Sequence, residues 1–312
     1  MPLIAPDAVR RIAVVGSGTI GASWAALFLA HGYDVTIYDP QPSAEAATRD
    51  LIADAWRGLA ALGVVGDTAP KPWRFSTDLV EAVRDADFVQ ESGPERAEIK
   101  RQLYADLEAR LNPDVIVASS TSGLVMSELQ EGLRSPERFA VGHPFNPPHL
   151  VPLVEVVGGR KTSSDVLVWL EAFYRCAGKA PIRLNKEVPG HLANRLQAAL
   201  WREAVHAVAS GIASVEDVDT AIAQGPGLRW AIMGPHMIFN LAGGEGGMKH
   251  FLDHIGPAME DWWRDLGTPQ LGPEVNAALI DGVKQEAAGR SRTDLVKQRD
   301  AALIALIKQK NG

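Results

Sequence analysis

Residues 11–21 read RIAVVGSGTIG, and their spacing decides the architecture of the chain that follows. Arg11 to Val15 is a short β-branched apolar run, the pattern of a strand buried on both faces. Gly16, Gly18 and Gly21 then recur as GxGxxG, and Thr19 and Ile20 open a helix of small and apolar residues over 20–31. Each glycine has a mechanical reason: a tight turn, close approach of backbone to a pyrophosphate, and close helix–strand packing. The helix N-terminus adds unpaired N–H groups and the positive end of the helix dipole. A strand, this loop and a helix in that order predict a dinucleotide-binding βαβ unit.

Working outward, a second strand is expected over 34–38, closed by Asp39, eighteen residues beyond Gly21. A carboxylate there accepts hydrogen bonds from ribose hydroxyls and repels a 2′-phosphate, and Pro40-Gln41-Pro42 bring no arginine to hold one. NAD is therefore the expected cofactor. Further strands are read at 87–90, 115–119, 139–142, 153–157 and 181–184. Helices are read at 43–62, 96–111, 127–133 and 163–177, with a looser connection up to residue 75. After about residue 187 the strand signals stop, and Pro189-Gly190 punctuates the change. Helical periods follow at 192–210, 215–223, 230–241, 247–254, 273–288 and 291–309. The expected architecture is α/β: a doubly wound Rossmann-type sheet in an NAD-binding domain, 1–187, then a smaller all-helical domain, 188–312.

Composition sets limits on function. The 312 residues are 46% hydrophobic and 22% charged, enough for two ordinary cores. A net charge of -7 without a Lys/Arg run argues against a nucleic-acid partner. The lone cysteine, Cys176, excludes an intrachain disulfide and a Cys-based zinc site, and reads as a buried structural thiol. No metal is expected to be required. Residues 1–10 contain Asp7 and Arg10 and lack an apolar signal core, and no apolar run reaches membrane-spanning length. A cytoplasmic protein without a membrane partner is expected.

The chemistry concentrates in HPFNPPHLVPLVE, residues 143–155. Its prolines at 144, 147, 148 and 152 deny it helix and central-strand geometry in its first half, leaving a rigid loop that feeds the strand at 153–157. A histidine at such a place takes a proton near neutral pH, and a carboxylate fixes its tautomer. His143 and Glu155 are the candidate pair. Ser119 to Gly123, SSTSG, ends a strand on the ligand side of a parallel sheet and offers hydroxyls to a substrate. Glu91 to Glu95, ESGPE, closes another and precedes a helix carrying Lys100.

These motifs resemble the L-3-hydroxyacyl-CoA dehydrogenase family, in which a His-Glu pair oxidises a 3-hydroxyl group with NAD. The family places a serine twenty-one residues before its histidine, which selects Ser122. Its motif P-G-F-x-x-N-R is similar to Pro189-Gly190-His191-Leu192-Ala193-Asn194-Arg195, so Asn194 is the implied substrate-facing asparagine. His191 departs from the usual phenylalanine and reads as a domain-interface residue rather than a second base. No motif position supports catalysis by His149. By the same resemblance, Glu95 and Lys100 lie near the nicotinamide ribose, and the helical half forms a homodimer.

The resemblance also bears on substrate. Where acyl-CoA enzymes carry a glycine, an aromatic residue and P-x-G-P, this chain has GLRWAIMGP, residues 227–235. Arg229 can hold a free carboxylate with a bidentate fork, a charge that a thioester lacks. Together with GGEGGM at 243–248, this resembles the short-acid branch of the family, which acts on substrates such as L-gulonate and L-carnitine. Arg229 and Trp230 are therefore substrate-binding candidates. Carnitine would want an aromatic cage, for which Trp201, Trp230, Trp262, Trp263, Phe145 and Glu245 are available. The expected substrate is a small free L-3-hydroxy acid, against the alternative of a 3-hydroxyacyl-CoA such as 3-hydroxybutyryl-CoA. A non-catalytic, crystallin-like structural role is the alternative of another class.

Overall fold

The computed structural model describes residues 3–66 and 68–311; residues 1, 2 and 312, at the ends of the two expected domains, and residue 67, in the expected looser connection, lie outside the described residues. The elements alternate as β1 (Arg11–Val15), α1 (Thr19–Ala30), β2 (Asp34–Tyr38), α2 (Ala44–Leu62), β3 (Arg74–Ser76), α3 (Leu79–Val83), β4 (Phe88–Glu91), α4 (Ala97–Glu108), β5 (Ile116–Ser119) and α5 (Met126–Leu129). β6 (Phe139–Pro144), β7 (Leu153–Gly158), α6 (Ser164–Cys176) and β8 (Ala180–Arg183) complete this half. The sheet order is β3-β2-β1-β4-β5-β6-β7-β8. All neighbours are parallel except β6 and β7. The winding reverses at β1, which opens a crevice outside the carboxyl ends of β1 and β4, the ligand position of a doubly wound sheet.

Two apolar layers cover the sheet. One is built from Trp24, Phe28, Phe88, Trp169, Phe173 and Tyr174, whose rings pack from α1 and α6 onto the strands. The other gathers Ala82, Val89, Tyr104, Leu107, Leu129 and Phe139 under α3, α4 and α5. A fully buried phenylalanine such as Phe173 contributes roughly 1.5–3 kcal/mol by apolar transfer.

The rest is helical: α7 (Ala193–Ala209), α8 (Val215–Gln224), α9 (Pro226–Trp230), α10 (Pro235–Ala242), α11 (Gly247–Asp265), α12 (Pro273–Ala287) and α13 (Arg292–Asn311). Two compact units result. The first runs to Asn194 and includes Asp300–Gln309; the second comprises Arg195–Arg299 and the last residues. Within the second, α12 packs on α8, and Phe239 stacks on Phe251 between α10 and α11 with ring centroids 4.7 Å apart.

Several elements differ from the sequence expectation. β3 and α3 were not anticipated, because a three-residue edge strand and a five-residue helix are too short to show a period. The helix read over 230–241 is two, α9 and α10, each opened by a proline at its first turn. The helix read as ending at 254 runs on to Asp265 through Pro257. β6 extends to Pro144, so His143 lies on a strand rather than in the loop after it. Cys176 is exposed in the last turn of α6, not buried, because the apolar face of that helix is carried by Val166, Trp169, Leu170 and Phe173.

Candidate functional site

The β1–α1 turn is shaped by what its glycines exclude. Gly16 has φ +102°, and a Cβ there would lie 2.5 Å from the Ser92 carbonyl oxygen. A Cβ on Gly21 would sit 1.9 Å from the Gly16 oxygen. Gly18 is different: a Cβ would meet nothing within 4 Å, so its bare backbone faces open space. No side chain caps α1, and its first turn, including Thr19 and Ile20, contains no acidic residue. An uncapped helix start beside open backbone suits a pyrophosphate. Asp39 stands at the end of β2. Its Oδ2 accepts from the Ser17 hydroxyl at 2.6 Å and the Ser17 N–H at 3.2 Å, and its Oδ1 accepts from the Gln41 N–H at 3.0 Å. These bonds fix the carboxylate at the turn and leave lone pairs for ribose hydroxyls. The residues present thus fit a dinucleotide.

Beneath the β4 loop lies a buried ionic cluster that sequence reasoning did not foresee. Glu91 is fully buried and accepts from Lys100 Nζ and the Gly93 N–H, both at 2.6 Å, from Ser119 Oγ at 2.6 Å and from Tyr104 OH at 2.8 Å. Lys100, which the family resemblance places near the nicotinamide ribose, is 1% exposed and directs its ammonium to Glu91 and the Gly93 carbonyl, with Glu95 Oε2 3.8 Å away. It sits under the loop instead of facing out from it. Glu95 does face the loop after β5. Its Oε1 accepts from Thr121 Oγ1 at 2.7 Å, and from Ser122 N–H and Oγ at 2.8 and 3.1 Å. Burial opposes ionisation of Glu95, but these donors and the Lys100 charge outweigh it, holding its pKa below the usual carboxylate range.

His143 and Glu155 are register partners on the antiparallel strands β6 and β7, which places both side chains on one face. Twelve residues of separation is thus a hairpin contact. His143 Nδ1 lies 2.8 Å from Glu155 Oε2, with His143 5% exposed and Glu155 fully buried. Glu155 Oε1 accepts the N–H groups of Leu192 and Ala193 at 2.8 and 2.9 Å, at the start of α7. Burial works to raise the Glu155 pKa, but the His143 bond and these two N–H donors win, so it lies below the ordinary carboxylate value. The ionised carboxylate accepts a hydrogen bond from the Nδ1–H, which leaves the ring's lone pair on Nε2 of His143.

The loop between these strands is pinned from behind. Lys179 Nζ donates to the carbonyls of Pro148 and Val151, and burial lowers its pKa to about 7. Ser23 Oγ accepts the His149 N–H at 2.9 Å and lies 2.8 Å from His149 Nδ1, so His149 anchors this loop. The segment 190–194 ties the remaining candidates together. Asn194 Nδ2 donates to the Ser122 carbonyl at 2.9 Å, and His191 Nε2 lies 3.0 Å from the Thr121 carbonyl. Ser122 is itself exposed. Arg229 and Trp230 belong to α9 in the second unit, and both are exposed there.

Among the described residues no group of three or more His, Cys, Asp or Glu is placed to hold a metal ion, and no helix is long and apolar enough to cross a membrane.

Comparison with known proteins agrees with this geometry. Residues 11–188 match the NAD-binding domain of 3-hydroxyacyl-CoA dehydrogenase, and residues 190–269 match its C-terminal domain. The chain is 50% identical over 306 residues to L-carnitine dehydrogenase of Streptomyces coelicolor, covering 98% of this chain and 96% of that one. It is 43% identical to L-carnitine dehydrogenase of Bacillus cereus, covering 96% and 92%. Among solved structures, 5-formyl-3-hydroxy-2-methylpyridine 4-carboxylic acid 5-dehydrogenase, an NAD-dependent dismutase, superposes with a TM-score of 0.85 at 32% identity, covering 97% of this chain and 99% of that one. The chain belongs to the 3-hydroxyacyl-CoA dehydrogenase family and is an NAD-dependent oxidoreductase acting on a hydroxyl group.

Proposed function

We propose that the protein oxidises the 3-hydroxyl of a small free L-3-hydroxy acid, with L-carnitine the first candidate. The observation that carries the chemistry is the buried His143–Glu155 pair, 2.8 Å apart on adjoining strands. Bound NAD supplies the hydride acceptor. His143 Nε2 takes the hydroxyl proton as hydride departs from C3. Glu155 fixes the tautomer and stabilises the imidazolium that forms. Ser122 and Asn194 hold the reacting oxygen, their loops locked to each other by the Asn194–Ser122 bond. In the cofactor crevice, Gly16, Gly18 and Gly21 admit the phosphates, Thr19 and Ile20 lend backbone N–H groups, and Asp39 and Glu95 accept from ribose hydroxyls. Lys100 acts through Glu91 and the loop above it rather than by direct contact. We further assign 1–187 to cofactor binding and 188–312 to substrate binding and dimerisation.

The free-acid reading is supported by the similarity to L-carnitine dehydrogenases along nearly the whole chain. The decisive assay is NADH formation by purified protein with L-carnitine, L-gulonate, L-3-hydroxybutyrate and 3-hydroxybutyryl-CoA. Turnover of the CoA ester with none of the free acids overturns it, and no turnover of any supports the structural-protein alternative. Arg229 is the proposed carboxylate partner. Arg229→Met is expected to weaken transition-state binding of the free acid by about 2–4 kcal/mol, seen in kcat/KM rather than NAD affinity. Lysine should restore only part, because a point charge lacks the bidentate fork. An unchanged kcat/KM in the methionine variant removes Arg229 from the site.

A homodimer through the helical half is proposed as well. Trp262 and Trp263 on α11 are 59% and 64% exposed, and Ile280 and Val283 on α12 are also exposed. Apolar surface of this kind marks an association face. Sedimentation equilibrium should give twice the chain mass of 33.5 kDa, and a single 33.5 kDa species at micromolar concentration rejects the dimer.

A further inference from the structure

His191 carries three features that packing alone does not require. Its backbone is left-handed, with φ 51°, one of only two such non-glycine residues among those described. Its side chain is 2% exposed, and its Nδ1 is buried without a hydrogen-bond partner. Its ring centroid lies 5.2 Å from that of His143. A carbonyl only accepts, so Nε2 carries the proton that bonds the Thr121 oxygen, and Nδ1 is left as a bare lone pair. Burial lowers the His191 pKa; the Thr121 carbonyl works against this, His143 adds to it, and Glu155 and Glu95 oppose it. The net direction keeps the ring neutral. Phenylalanine, usual at this place in the motif that residues 189–195 resemble, would fill the space without leaving an orphan nitrogen.

We infer that His191 determines specificity: it is the neutral, electron-rich wall beside the base that admits a cationic substituent on the carbon next to the one oxidised. The inference rests on the free-acid reading above. In carnitine the quaternary nitrogen is two single bonds from the reacting carbon, about 2.5 Å away by standard bond geometry. A substrate whose hydroxyl meets His143 therefore presents its cation to the side chains flanking that ring. Two rings flank it, Phe145 with centroids 5.4 Å apart and His191 at 5.2 Å. Phe145 offers an aromatic face to a cation. His191 offers a lone pair that no protein group neutralises, in a setting of low dielectric where that counts most. A protonated ring there would repel both the substrate cation and the imidazolium forming on His143, so neutrality is part of the function.

The test compares wild type, His191→Leu and His191→Gln on L-carnitine and on L-3-hydroxybutyrate, which has no ammonium group. NADH binding by fluorescence verifies that each variant is folded. The leucine variant, which removes the lone pair without adding an aromatic face, should lower kcat/KM for L-carnitine about tenfold or more, mainly through KM, while L-3-hydroxybutyrate changes far less. Glutamine can bond Thr121 and still present an acceptor, so it should recover part of the preference. If both substrates fall in parallel, His191 is structural and the inference is wrong. Wild-type protein that oxidises other 3-hydroxy acids but not L-carnitine also overturns it, with the free-acid reading intact. Wild-type protein that oxidises no free acid defeats both.

Discussion

His143→Ala is expected to lower kcat about 100- to 10,000-fold, the range for removal of a general base, while NADH binding stays close to wild type. The separation of effects follows from position. The glycine turn and Asp39 lie at the ends of β1 and β2, whereas His143 is on β6, its side chain bonded to Glu155 on β7 and flanked by the Phe145 and His191 rings. Glu155→Gln should cause a smaller loss because the imidazole itself remains, and the loss it does cause has a definable reason. The amide oxygen can keep the Leu192 and Ala193 N–H bonds, which turns the amide nitrogen toward His143 Nδ1. A donor facing Nδ1 moves the ring proton to Nε2, the nitrogen that must be bare to accept one. Steady-state kinetics with the best substrate of the panel decide the matter. Turnover of His143→Ala within tenfold of wild type would rule out the proposed base.

The sequence carried the fold through local signals, and failed where none existed. RIAVVGSGTIG holds strand, turn and helix chemistry in eleven consecutive residues, so β1, the turn and α1 were legible at once. β3 has three residues and no alternation, and is recognisable only from its pairing with β2. A proline removes one backbone donor and disfavours a helix interior, yet α11 continues through the exposed Pro257 to Asp265. The site divides in the same way. The types and spacing of His143 and Glu155 were visible, but not that twelve residues bring them face to face; that needs the antiparallel register of β6 and β7. Glu91 was legible as the end of a strand but not as buried, since a glutamate there looks solvent-bound until Lys100, Tyr104 and Ser119 converge on it from α4 and β5. The burial of Lys100 is equally illegible: a helical lysine is normally exposed, and only the tertiary fold turns it inward.

That buried pair carries the largest expected effect on stability. Lys100 Nζ is 2.6 Å from Glu91 Oε1, with side-chain exposures of 1% and 0%. Removing one partner of such a pair leaves the other charge in a low-dielectric site that water cannot reach. The general consequence is a loss of about 3–5 kcal/mol, a large fraction of the roughly 5–15 kcal/mol that holds a domain folded. Lys100→Met keeps the length and apolar stem of the side chain and deletes only the charge, so the loss measures the uncompensated carboxylate rather than a cavity. Three donors remain on Glu91, from Gly93, Ser119 and Tyr104, and they should keep the variant folded at low temperature. Adding Glu91→Gln removes the stranded charge, and the double variant should regain a substantial part of the lost stability, a non-additivity expected of groups in direct contact. The readout is the urea midpoint with an unchanged slope, so that the difference reports on the folded state. An exposed ion pair is worth at most about 1 kcal/mol. A loss that small in Lys100→Met, or a double variant less stable than either single one, would show that the pair does not support the β4 loop as its geometry indicates.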